Sequence, residues 1–158
     1  MSDQLLRCTC YRLRRAARMA TQGYDAALAD AGLTATQFAL LAELSRARAV
    51  PVSVLARRLG TDRTTMTRTL RPLLREKLVA PERTGDRRVH AVSMTDAGLA
   101  RYAEAARLWR DAEADMARGL GAEKLEELYS LLQRVEEVMV SVRRSEDPAP
   151  AARAGPRA

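Results

Sequence analysis

The residues in this sequence best placed to do chemistry are arginines and threonines, and the chemistry they offer is recognition. Between positions 63 and 75 the residues expected on the exposed face are Arg63, Thr64, Thr65, Thr67, Arg68, Arg71 and Arg75, opposite an apolar stripe of Met66, Leu70, Leu73 and Leu74. Guanidinium forks match phosphate oxygens and guanine edges, and small hydroxyls reach phosphates and other base edges. No acid interrupts that face before Glu76. A second basic cluster, Asp86, Arg87 and Arg88, falls in the turn-forming stretch Thr84-Gly85-Asp86-Arg87-Arg88. Nothing comparable assembles a catalytic centre. His90 is the only histidine, and no phosphate loop or nucleophile-elbow glycine pattern occurs. A metal site would need Cys8, Cys10 and His90 to converge from distant segments without C-x-x-C spacing. The expectation is a binding protein, with no enzymatic activity, no metal and no cofactor.

The charge distribution names the kind of partner. Residues 46–90 hold twelve Arg and Lys against four acids, a balance of +8, while the whole chain carries +7. A basic block of this kind marks a polyanion, and double-stranded DNA is the expected one. The 158 residues amount to about one domain. With 47% apolar and 30% charged residues a real core forms, and 4% aromatics suits helix-on-helix packing. No apolar run approaches the roughly 18 residues of a membrane span. The start, Met1-Ser2-Asp3-Gln4, has neither a basic nor an apolar leader. A cytoplasmic protein without membrane association is expected.

The elements that position these residues follow from periodicity. Residues 4–31 read as one helix with a seam of Leu6, Cys10, Leu13, Ala17, Ala20, Tyr24, Ala27 and Ala31 at alternating steps of four and three, ended by Gly32. Thr34 and Gln37 form a capping box for a second helix with Phe38, Leu41 and Leu44 inward. A short third helix runs from Pro51 to Gly60. Thr61 or Asp62 caps a fourth, which reaches about Leu78 with Pro72 bending it. Strands are expected near Val79–Arg83 and Val89–Met94. A fifth helix opens at Thr95 and Asp96, faces inward with Leu99, Tyr102, Ala106, Trp109 and Met116, and breaks at Gly119 and Gly121. The sixth repeats the seam with Leu125, Leu128, Leu132, Val135, Met139 and Val142. Two long seams of matching character point to a second copy of the chain as partner; the alternative is an intramolecular bundle of helices one, five and six.

Helix, tight turn, helix and basic hairpin describe a winged helix-turn-helix. The stretch from Asp86 through Arg88, Val92 and Met94 to Thr95 and Gly98 resembles the D-x-R-x-x-x-V-x-L-T-x-x-G wing signature of the MarR family of bacterial transcription regulators, with Met94 in place of Leu. Gly32-Leu33-Thr34-Ala35-Thr36-Gln37-Phe38, Leu55-Ala56-Arg57-Arg58-Leu59 and Leu78-Val79 are similar to three further segments of that family, in the same order. Lys77 stands where most members have a helix-ending Gly. The resemblance implies a mainly α fold with a small β-wing and long N- and C-terminal dimerisation helices. The chain thus divides into a dimerisation helix (1–33), a DNA-binding lobe (34–95), C-terminal dimerisation helices (96–144) and a tail (145–158) whose Pro/Ala/Arg-rich composition has no apolar period and is expected to be disordered. The resemblance further implies a homodimer on a pseudo-palindromic operator, read by Arg63, Thr64, Thr65, Thr67, Arg68 and Arg71. Arg88 would enter the minor groove beside Arg87, held by Asp86. The expected function is repression relieved by a small aromatic effector.

Two readings of Cys10 stand. It is either a small packing residue of the helix-one seam or a reactive thiol, as in the organic-hydroperoxide (OhrR-like) branch of the same family. That branch has a tyrosine fourteen residues on, which Tyr24 matches; its other tyrosine, four residues after the cysteine, is Arg14 here. Cys8, two residues away, points to a different face of an unbroken helix and makes a poor disulfide partner. A third reading, of another class, is a sequence-neutral, nucleoid-type DNA binder.

Overall fold

A computed structural model describes residues 7–82 and 90–146, with side chains through Val142. Residues 1–6 with Leu6, residues 83–89 with Asp86, Arg87, Arg88 and Val89, and residues 147–158 lie outside the described residues. The elements run α1 (Thr9–Ala27), a 3-10 turn (Ala29–Ala31), α2 (Ala35–Leu44), β1 (Val50–Pro51), α3 (Val52–Arg58), α4 (Arg63–Arg75), β2 (Val79–Glu82), β3 (Ala91–Met94), α5 (Asp96–Leu120) and α6 (Ala122–Glu146). The fold is mainly α with a small three-stranded antiparallel sheet.

The first helix is shorter than the seam predicts. Cys8 is extended (φ −67°, ψ 122°), so α1 starts at Thr9. After Ala27 the backbone tightens into the 3-10 turn and closes at Gly32 with φ 65°. The tightening inserts Leu28 and Ala31, and Leu33 just beyond, into the core. The seam pointed to Ala27, whereas the fully buried residue is its neighbour Leu28. α2 starts at the expected capping box: the Thr34 hydroxyl accepts from Gln37 N–H (3.3 Å), and Gln37 Oε1 accepts from Thr34 N–H (2.9 Å). Asp25 Oδ1 accepts from Ala35 N–H (2.7 Å), fastening α1 to the same turn. Because α2 is surrounded, Leu40 is buried along with Phe38, Leu41 and Leu44.

The sheet order is β1-β3-β2, with β3 central. Val50 faces Val92 and Pro51 faces Ala91; on the other side Val79 faces Met94 and Pro81 faces Val92. Both prolines sit on outer strands, where a missing N–H costs no ladder bond. β1 was not expected: two residues, one a proline, offer no alternation to detect. The two expected strands are present as Val79–Glu82 and Ala91–Met94, with His90 outside the strand; Arg83 and Val89 lie outside the described residues.

α4 ends at Arg75 rather than Leu78, and Pro72 lies inside it. Lys77, at the position of the helix-ending Gly in the MarR-like pattern, takes φ 58°, a left-handed conformation. Leu78 N–H then bonds Leu73 O (2.9 Å) and Lys77 N–H bonds Leu74 O (3.1 Å), the paired bonds of a Schellman closure. Leu74, expected inside, is exposed, because the turn of the helix gives the inward position to Leu73. On α5, Leu99 is likewise exposed, and Gly98 and Ala105 are the buried residues. α5 continues through Gly119, and the break is at Gly121 alone, with φ 85°.

The chain divides into two units, residues 1–113 and 114–158. The first holds the core, centred on Leu28, Leu40, Leu41, Leu55, Met66 and Leu73. In the second, α6 buries Leu125 but leaves Leu128, Leu132, Met139 and Val142 exposed. No described helix is long and apolar enough to cross a membrane.

Candidate nucleic-acid interface

The presentation of α4 depends on its two ends. At the start, Gly60 holds φ 61° and closes α3, with Thr61 N–H on Ala56 O (2.9 Å) and Gly60 N–H on Arg57 O (3.2 Å). A residue with a Cβ would be strained in that conformation. Asp62 then caps α4: Oδ1 accepts from Thr65 N–H (2.9 Å) and Oδ2 from the Thr65 hydroxyl (2.7 Å). These bonds to Thr65, the backbone one foremost, hold the Asp62 carboxyl below its usual value.

With Met66, Leu70 and Leu73 buried on one side, helical geometry turns the opposite side outward. Arg63, Thr64, Thr67, Arg68 and Arg71 together line a shallow concavity of about 430 Å³. Arg63, Arg68 and Arg71 form no ion pair with another described residue. Their donors are left for an external acceptor. The Thr67 hydroxyl donates to Arg63 O (2.8 Å) on an exposed residue. Thr65 is only half exposed and does not line the concavity; its hydroxyl serves the cap. Arg75 lies 3.9 Å from Glu76.

The wing base is anchored to α5 by Thr95 and Gly98. Thr95 N–H reaches Leu78 O (3.1 Å), and its hydroxyl lies 2.8 Å from Lys77 O and accepts from Gly98 N–H (3.0 Å). A Cβ on Gly98 would meet Leu78 O at 2.0 Å. Only glycine lets this helix pass so close to the strand. The T-x-x-G end of the wing signature is thereby explained as packing, a role its residue types alone did not disclose.

A cleft of about 440 Å³ opens elsewhere in the first unit, and no residue set for it was read from the sequence. Tyr24, Leu28, Phe38, Leu59 and Trp109 line it, with the carboxylates of Glu43 and Glu113. Phe38 stacks on Tyr102 (centroids 5.4 Å) and on Trp109 (5.8 Å). The Tyr24 hydroxyl donates to Glu113 Oε1, and Arg58 Nη1 donates to Glu43 Oε2 (3.2 Å). The seven-residue step from Tyr102 to Trp109 was legible as one helix face; what it faced was not. Cys8 and Cys10 are both exposed free thiols. Since Cys8 precedes the helix, the argument that separated the two by helix face does not hold for it. No group of three or more His, Cys, Asp or Glu among the described residues is disposed to hold a metal ion.

The sequence model of the MarR family matches residues 33–90, the helix-turn-helix segment and wing base. The transcriptional regulator MosR of M. tuberculosis, solved in complex with DNA, is 38% identical, with a TM-score of 0.72 over 83% of this chain and 98% of that one. The transcriptional repressor CouR bound to a 23-mer DNA duplex is 27% identical, with a TM-score of 0.77 over 84% and 95%. The same repressor solved with p-coumaroyl-CoA superposes with a TM-score of 0.77 at 25% identity, over 84% and 94%. No curated protein sequence matches at a significant level. Identity of this degree across nearly all of a solved regulator, joined to the family match over the helix-turn-helix, places the chain in the MarR family: it is a winged helix-turn-helix, DNA-binding transcriptional regulator and not an enzyme.

Proposed function

We propose that the chain works as a homodimeric repressor on a pseudo-palindromic operator and leaves it when a small aromatic ligand binds. The observation that carries this is the outward face of α4, where Arg63, Thr64, Thr67, Arg68 and Arg71 converge and the three arginines form no ion pair with another described residue. In this reading those residues enter the major groove and Thr65 steadies the helix start. The resemblance assigns the wing, Asp86, Arg87 and Arg88, to the neighbouring minor groove. Residues 34–95 form the DNA-binding lobe, and 1–33 with 96–144 supply dimerisation. The exposed apolar positions Leu128, Leu132, Met139 and Val142 of α6 support the second copy. The cleft beside Trp109 supports an aromatic effector, as does CouR, which is described with p-coumaroyl-CoA bound.

The test is fluorescence anisotropy on a duplex selected by the protein, comparing Arg68→Ala and Arg88→Ala with Arg118→Ala as control. The first two weaken binding by more than about 1 kcal/mol each, and the control leaves it unchanged. Equal affinity for a scrambled duplex would instead favour a sequence-neutral binder.

A second reading of the signal is a thiol switch at Cys10. The observation in its favour is that Cys10 is exposed, so it performs no packing within its own chain. Organic peroxide would oxidise the thiolate to a sulfenic acid with release of the corresponding alcohol. Operator release that survives Cys10→Ser excludes this reading.

A further inference from the structure

We propose that α1 of one copy lies antiparallel along α6 of a second copy, and that an ion pair between Arg14 and Glu136 selects this match. This rests on the homodimer reading above and adds which helix meets which, and through what contact. The first observation is size. No residue of α1 is buried within its own chain, and its seam is built largely of small residues, Ala17 and Ala20 with Ala16 and Gly23 beside them. The seam of α6 is large: Leu128, Leu132 and Met139 are exposed, as are the adjoining Leu131 and Val138. Facing surfaces fill space best when large residues on one meet small residues on the other.

Charge makes the same selection. α1 carries Arg12, Arg14, Arg15 and Arg18 against Asp25, whose carboxylate accepts from Ala35 N–H. Residues 122–142 of α6 carry five acids against Lys124 and Arg134. Like charges meet when either helix pairs with its own copy, and opposite charges meet in the mixed pairing. Glu136 is the acid set among apolar positions, one turn from Leu132, Met139 and Val140, all exposed. Covering that face takes water from its carboxylate, which then needs a cation. Arg14 holds the equivalent place on α1: it follows the seam residue Leu13 as Glu136 follows Val135, and lies one turn from Cys10 and Ala17. Arg14 and Glu136 are both exposed, and neither forms an ion pair with another described residue. Residues on the same flank of two facing seams meet when the helices run antiparallel. With these two opposite each other, residues 9–27 fall opposite residues 123–141, so the register uses the whole of α1.

Sedimentation of the full-length protein with the charges reversed tests this. Arg14→Glu and Glu136→Arg should each raise the dimer dissociation constant at least about ten-fold. An equimolar mixture of the two variants should return to within about three-fold of wild type, because both contacts of the mixed dimer then join opposite charges. Each variant should keep the helical circular dichroism of wild type, since both side chains are exposed in the single chain. A wild-type dimer indifferent to either reversal overturns the pairing and leaves the homodimer standing. Weakened variants whose mixture stays as weak as its components also overturn it, because the contact then does not cross between copies. A wild-type protein that is monomeric at micromolar concentration overturns both the pairing and the homodimer.

Discussion

Lys77 sits in a left-handed conformation, φ 58°, at the closure of α4. Its side chain is exposed, so little is gained there to offset the clash between Cβ and backbone. Lys77→Gly should raise the unfolding free energy by about 0.5–1 kcal/mol after allowing for the freer unfolded chain, as read from denaturant midpoints. An unchanged or lower midpoint would mean that the closure is not strained. Asp62 supplies a second prediction, in pH. Its native carboxyl is lowered from 3.8 by the bonds from Thr65, so its contribution is present above 3.8 and fades as pH falls through the lowered value. The stability gap between wild type and Asp62→Asn should therefore narrow on acidification below 3.8. A gap that stays constant through that range would contradict the capping role.

At the scale of elements, the two helices of the DNA-binding motif end in the same closure, one with Gly60 and one with Lys77, and α5 then crosses Leu78 at Gly98. Gly98→Ala pushes a methyl group to 2.0 Å from Leu78 O, so the strand or the helix must move. A loss of about 2–3 kcal/mol is expected, with weaker DNA binding because the wing base shifts with it. Full stability in a thermal melt would refute the close approach. The sequence made much of this legible. The amphipathic stripe of α4, the Thr34 capping box and the Lys77 departure could each be read because they follow from local backbone chemistry. Leu28, Leu40, Leu74 and Leu99 were not assigned correctly, because their burial depends on which neighbour covers a given face. β1 was invisible because two residues carry no period. Thr65 reads as part of an exposed polar run, and only the geometry shows its hydroxyl turned to Asp62. The cleft was hidden for a related reason: Tyr24, Phe38, Glu43, Trp109 and Glu113 come from three helices, and no spacing within one of them announces their convergence.

For the whole molecule, the basic balance of residues 46–90 and the apolar positions left exposed on α6 make complementary demands. The first calls for a polyanion and the second for another copy of the chain. Leu132→Glu combined with Met139→Glu should shift the protein toward monomer in sedimentation velocity and weaken operator binding, since one lobe alone forfeits half of the contacts. In the proposed function, two copies of the Arg–Thr face of α4 read a two-fold operator. The most direct measurement is selection of duplexes from a random pool by the full-length protein, repeated with Arg68→Ala. Enrichment of a pseudo-palindrome with half-sites about one helical turn apart is expected, weakened or altered in Arg68→Ala while that variant stays folded. No enrichment over the starting pool, or the same motif at the same strength with Arg68→Ala, would contradict it.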